Sequence, residues 1–226
     1  MTKKHHAQMS ESIPMALLLA LAGGFLDSYS FIGRGEVFAN AQTGNMVLFG
    51  ANLINRNFKQ SIKYLIPIIA FAVGVFIVEE IRRRFKEFDK IHWRQIILVI
   101  EIVLLFFVAF IPQSRNIVAN LIISFVCSLQ VESFRKVKSN AFATTMCTGN
   151  LRSGTSLLVS YFYTKNPELK KKSKNYFIVI IIFILGAAFA GGMVPIMKEK
   201  AIFIPCIILT IAFVMMFIKE DIEKVE

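Results

Sequence analysis

Apolar residues along this chain come in long blocks rather than short alternations, and the blocks begin near Ser12, Ser61, Arg94, Asn116, Tyr176 and Ala201. An α-helix rises about 1.5 Å per residue, so about 20 mainly apolar residues cross the roughly 30 Å of hydrocarbon in a bilayer. Each block is a predicted membrane span. Two further stretches are only moderately apolar. Val37 to Ile54 is interrupted by Asn40, Gln42, Thr43, Gly44, Asn45, Gly50 and Asn52. Ala141 to Phe162 carries Thr144, Thr145, Thr148, Gly149, Asn150, Arg152, Ser153 and Gly154. Such a segment either spans with its polar side towards the bundle interior or enters the membrane and returns. Irregular backbone at that depth is tolerated only where protein buries it or it lines a cavity.

The two polar stretches belong to a pattern that occurs twice. Aligned without gaps on Thr-Gly-Asn, Asn45 pairs with Asn150, Asp27 with Glu132, Ser28 with Ser133 and Tyr29 with Phe134. Identities are few, but the order is kept. A carboxylate at membrane depth, a hydroxyl and an aromatic come first, then a short basic link, then Thr-Gly-Asn. Self-similarity of this kind marks a repeated architecture. We therefore expect one membrane domain, with repeat 1 at about 12–111, repeat 2 at about 116–218, and polar tails at 1–11 and 219–226.

Composition agrees: 55% hydrophobic residues and a mean hydropathy of +0.60 are too apolar for a soluble domain. The net charge of +11 invites a nucleic-acid partner. We expect none, because Lys and Arg sit mainly in loops beside the spans, as topology signals do. Cys127, Cys147 and Cys206 are odd in number and lie in apolar surroundings, so reduced, packed thiols are expected. With no ligand spacing among them or among His5, His6 and His92, no metal or cofactor is expected. The basic start and the run Met15 to Leu21 before Ala22-Gly-Gly24 imitate a signal peptide. The run, however, continues into Phe25 and Leu26, and its partner at 116–134 is internal.

Loop charge sets the topology. The loop carrying Arg82, Arg83, Arg84, Lys86, Lys90 and Arg94, and the one carrying Lys165, Lys170, Lys171, Lys172 and Lys174, should both be cytoplasmic. Three apolar segments separate them, at 94–111, 116–134 and 141–162, yet two loops on one side need an even number of crossings between them. The polar third segment is therefore expected to turn back, and by the repeat so is Val37 to Ile54. The expected fold is an all-α integral membrane protein of about six transmembrane helices. It forms two inverted three-span repeats, each with an interrupted or re-entrant Thr-Gly-Asn segment, and both termini are cytoplasmic. Arg56, Lys59 and Lys63 then fall outside, against the rule.

Inverted repeats with broken segments are a recurrent transporter plan, with the site near the midplane. Gly44 and Gly149 permit a turn or close approach, Thr43 and Thr148 can cap the following helix, and Asn45 and Asn150 offer a donor and an acceptor each. The competing reading is a small-residue packing seam that needs no ligand. Asp27, Glu101 and Glu132 are carboxylates at membrane depth and so candidates for proton coupling, although a paired structural carboxylate would look the same. Asn40, Gln42 and Arg152 complete the candidate solute site, with Arg152 facing either an anionic solute or Glu132. Arg135 and Lys138 read as a cytoplasmic helix end. No Gly-x-Ser-x-Gly, His-Glu-x-x-His or phosphate-binding loop is present, so no enzyme is expected.

Gly24-Phe-Leu-Asp-Ser-Tyr-Ser-Phe31, Val37-Phe-Ala-Asn-Ala-Gln-Thr-Gly-Asn45 and Cys147-Thr-Gly-Asn-Leu-Arg152 resemble the YoaK-like family of bacterial inner-membrane proteins. The resemblance runs over nearly the whole chain. It implies a multi-span protein and supplies no reaction. Cys147 stands where the resemblance leads one to expect a more polar residue. The expected function is passage of a small solute, with binding of lipid or regulation of a partner as the other reading. The expected partners are membrane lipids and a small-molecule solute; the sequence leaves a homo-oligomer open.

Overall fold

The structure, a computed structural model, describes residues 12–85, 93–134, 136, 137, 140, 141 and 147–217. The polar tails, the loop with Lys86, Lys90 and His92, and Arg135, Lys138, Thr144 and Thr145 lie outside the described residues. Among the described residues eight α-helices succeed one another: α1 Ile13–Gly33, α2 Gln42–Ile54, α3 Phe58–Phe85, α4 Trp93–Val108, α5 Asn116–Ser133, α6 Cys147–Thr164, α7 Pro167–Met197 and α8 Phe203–Met215. Short 3-10 turns at Gln113–Arg115 and Lys198–Ile202 join helices. A two-residue antiparallel bridge of Lys136–Val137 with Asn140–Ala141 is the one strand pairing among the described residues, and the sequence reading did not foresee it.

Local chemistry sets several helix ends. Ser12 caps α1 by accepting from the Met15 N–H at 3.3 Å, with Pro14 in the first turn, where its missing donor costs nothing. Asn166 caps α7 in the same way through the Glu168 N–H at 2.9 Å. Arg82, Arg83 and Arg84 end α3, where cations complement the free carbonyls.

Among the described residues four helical stretches are each long and apolar enough to cross a membrane: Ile13–Gly33, Phe58–Arg84, Gln113–Ser133 and Pro167–Met215. The last is 49 residues long and runs through α7, its 3-10 turn and α8. Large apolar side chains face outward along them, Phe76 at 72% and Ile196 at 76% exposure. A surface of that kind belongs against hydrocarbon rather than water. This is a membrane-type helical bundle.

Small residues set the closest packing. A Cβ on Gly24 would collide with the carbonyl of Phe183, and one on Gly186 with the carbonyl of Leu21, so α1 and α7 touch backbone to backbone. Gly74 gives α3 the same intimacy with Ser128 of α5. α1 and α7 run in the same direction, since Gly24 meets Phe183 and Gly33 meets Val194. So do α3 and α5, where Gly74 meets Ser128 and Arg82 meets Glu132. α1 and α5 run in opposite directions. Arg34, just past the end of α1, bonds Asn116 at the start of α5, and Gln130 near the end of α5 bonds the Leu19 carbonyl.

After α1 the chain turns through Gly35 (φ 87°) and Glu36 (φ 60°) and runs back along the helix to the level of Gly23 and Asp27, where α2 starts. Lys63, early in α3, lies beside Gly35, so α2 has brought the chain back to the end it left. α6 packs antiparallel on α7, with Gly154 against Ser173 and Tyr161 against Lys170.

Candidate functional site

A cavity of about 910 Å³ opens between α1, α3 and α7, and the first turns of both α2 and α6 line it. Its polar wall consists of Asp27, Ser28, Asn40, Gln42, Thr43 and Thr148. Phe31, Phe38, Phe71 and Phe183 belong to the apolar wall. Among the described residues no lysine or arginine lines it.

Asp27 belongs to the wall and to the architecture at once. Its Oδ1 accepts from the Asn40 N–H at 2.6 Å. A short acidic side chain on α1 thereby holds the stretch of backbone just ahead of α2. Asn40 Nδ2 adds a bond to the Gly23 carbonyl at 3.3 Å.

The three residues of Thr-Gly-Asn in the first repeat have separate tasks. Thr43 is exposed on the cavity. Gly44 leaves room for the Phe38 ring, which a Cβ would strike, and that ring stacks on Phe31 at 4.7 Å. Asn45 is fully buried and bonds both backbone groups of Phe38, at 3.0 and 2.8 Å, and Gln42 Oε1 at 2.9 Å. Gln42 Nε2 closes the loop on the Ala39 carbonyl. Around the second Thr-Gly-Asn, nothing among the described residues lies within 4 Å of a Cβ built on Gly149. Asn150 is buried and Arg152 is exposed on α6.

The structure thus brings Asp27, Asn40, Gln42, Thr43 and Thr148 to one cavity, with Asn45 behind them. It does not bring Glu132 there. Glu132 pairs with Arg82 at 3.4 Å, and Arg82 also holds Glu79 at 2.7 Å. Glu101 is buried inside the bundle away from the cavity wall, and neither of its carboxyl oxygens has a hydrogen-bond partner among the described residues.

Arg34 was not among the candidates, yet it is the largest fully buried side chain. It donates to Tyr29 Oη at 2.9 Å, to the carbonyls of Val108 at 2.9 Å and Ile111 at 2.7 Å, and to Asn116 Oδ1 at 3.3 Å. Among the described residues no carboxylate pairs with it; the carbonyls ending α4 face it. Tyr29 passes the link on to the Glu199 carbonyl at 2.9 Å. A lone basic residue between two glycines, at the end of an apolar block, was the available signal.

The three cysteines are free, and no group of His, Cys, Asp or Glu among the described residues is placed to hold a metal. A family model described as a protein of unknown function (DUF1275) matches residues 15–215. No curated protein and no solved structure matches the chain.

Proposed function

We infer that this chain, which belongs to the DUF1275 family, carries a small solute across a cell membrane through the cavity beside Asp27. One observation carries the reading: the first turns of α2 and α6, which stand 105 residues apart at Asn45 and Asn150, line the same cavity. Two broken segments that converge on one mid-bundle chamber are what an alternating-access carrier requires. Thr43 and Thr148 present hydroxyls, and Asp27 and Gln42 present acceptors.

Two inverted repeats fit the packing. The repeat offset turns the pair α1 with α7 into the pair α5 with α3, and each pair is parallel and closely packed. It also relates α1 to α5, which run in opposite directions. On this reading α1, α3, α4, α5, α7 and α8 cross, while α2 and α6 return to the side they came from. The basic ends at Arg82–Arg84 and Lys170–Lys174 then lie in the cytoplasm with both termini. No covalent chemistry is assigned.

Lipid binding is favoured by a different observation. Phe31, Ile32 and Met46 line the cavity and are 38%, 51% and 53% exposed, which suits an acyl chain entering sideways. The test is thermal stabilisation of the purified protein across a panel of soluble metabolites and of lipids, because a ligand of the folded state raises its melting temperature. Stabilisation by a soluble metabolite, lost in both Thr43→Val and Thr148→Val, supports carriage. Stabilisation by lipids alone would replace carriage with lipid binding.

A further inference from the structure

A second set of polar groups lies inside the bundle, away from the cavity. Asn120, Ser124, Cys127 and Gln130 recur along α5 at spacings of four, three and three, so they share one side of the helix. All four are buried. Asn120 Nδ2 donates to the Arg34 carbonyl and Gln130 Nε2 to the Leu19 carbonyl, so this side looks towards α1. The remaining oxygens, Asn120 Oδ1, Ser124 Oγ and Gln130 Oε1, have no partner among the described residues.

From α4 comes Glu101, whose two carboxyl oxygens are equally unpartnered. α4 and α5 are antiparallel: Ile97 shares a cluster with Leu129, while the Val108 carbonyl and Asn116 both bond Arg34. That register sets Glu101 about level with Ser124 and Cys127. The Cys127 thiol lies within electrostatic reach of both Glu101 and Asp27, with the Asn40 side chain against it. The row therefore meets the rear of the cavity wall, where Asn40 Oδ1 is unpartnered too.

A buried polar group without a partner costs about 1–3 kcal/mol, and native interiors hold few of them. Here they are lined up over ten residues of α5, about 15 Å of helix. Water can bridge such groups where polar partners are at hand, and an ionisable residue at membrane depth marks a pathway more often than a packing site. We propose that this row is a proton path, with Glu101 as the group that takes up and releases the proton and Asn120, Ser124 and Gln130 as the oxygens that hold the chain of waters along which it hops. A proton from hydronium on one side forms an O–H bond on a Glu101 oxygen and is returned to water on the other; no electron moves.

Among the described residues the Cys127 thiol of α5 lies within electrostatic reach of Glu101, Asp27 of α1 reaches that same thiol, and the Cys206 thiol of α8 donates to the neighbouring Ile102 carbonyl at 3.9 Å. Arg34, with Lys198, Glu199 and Lys200, lies at the Val108 end of α4, two turns away. Arg94, Arg82, Glu79 and Glu132 lie at the opposite end, again two turns away. Protons suit the row better than a metal cation, because a carboxyl becomes neutral by bonding one proton and needs no cage of ligands.

The test uses the full chain in sealed liposomes with a trapped pH dye, and a potassium gradient with valinomycin as the voltage source. Wild type should admit protons. Glu101→Gln should lower the rate at least about 100-fold, Glu101→Asp should restore part of it, and Ser124→Ala should lower it about tenfold. Melting temperatures should stay near wild type. Unchanged flux in Glu101→Gln, no voltage-driven proton entry in wild type, or a current that follows sodium would each overturn the proposal. Voltage rather than solute drives the assay, so the result is independent of the carriage reading.

Discussion

The side chain of Asn45 bonds the backbone of Phe38 twice, accepting from its N–H at 3.0 Å and donating to its carbonyl at 2.8 Å. An amide used in this way replaces a strand partner for a stretch of chain that has none. Asn45→Leu leaves the Phe38 N–H, the Phe38 carbonyl and Gln42 Oε1 to find new partners inside the protein. The expected loss is about 1–3 kcal/mol, read as a lower melting temperature in detergent without ligand. A variant that melts as wild type does, yet no longer binds, would make Asn45 a ligand contact instead.

Arg34→Met should be among the most damaging single changes. It removes four hydrogen bonds, leaving the part-buried Ile111 carbonyl without its charged donor and the Val108 carbonyl with only the Ile111 N–H. We expect a loss of about 3 kcal/mol or more. Arg34→Lys should recover little of it, because an ammonium cannot reach acceptors spread around a planar fork. Thermal melts of the two variants side by side decide this.

Gly24→Leu is expected to prevent assembly rather than weaken binding, since its side chain would enter the space of the Phe183 carbonyl. Gly149→Ala should be tolerated, as nothing lies within 4 Å of the new carbon. Monodisperse yield on a sizing column separates the two, and equal yields would mean that α1 and α7 pack less closely than described.

Sidedness follows from the proposed crossings. A single cysteine at Ser114 should react with an impermeant maleimide added to intact cells, and one at Lys171 should react only after the cells are opened. Labelling of both from outside would remove the inversion.

The four long apolar stretches were legible because twenty apolar residues in a row have few other uses, and the polar stretches because Asn, Gln and Thr interrupt apolar sequence so visibly. That Asp27 and the Thr-Gly-Asn stretch belong together was legible in their repeated order. How they belong together was not: the Asp27 bond is made to a backbone N–H, which every residue but proline has. Glu132 looked equivalent to Asp27, but its bond to Arg82 depends on the register of α3 against α5, and no local pattern encodes that register. The row on α5 was overlooked because Ser124 and Asn120 read as minor interruptions of an apolar block. Only the packing of α4 and α1 shows that they face inward.

Gly24 and Phe183 touch across 159 residues of chain, whereas Gly74 and Ser128 touch across 54. α1, made before the other described helices, is therefore among the last to find its neighbour. At about 5–20 residues per second of synthesis, α1 waits roughly 8–30 s, with its glycine face against lipid or an insertion factor, while α3 and α5 join early. Biogenesis of this bundle should thus begin in its middle and close at its ends. Chains arrested on the ribosome before Phe183 should leave a cysteine at Ala20 open to a membrane-permeant label, and chains arrested well past Met215 should protect it.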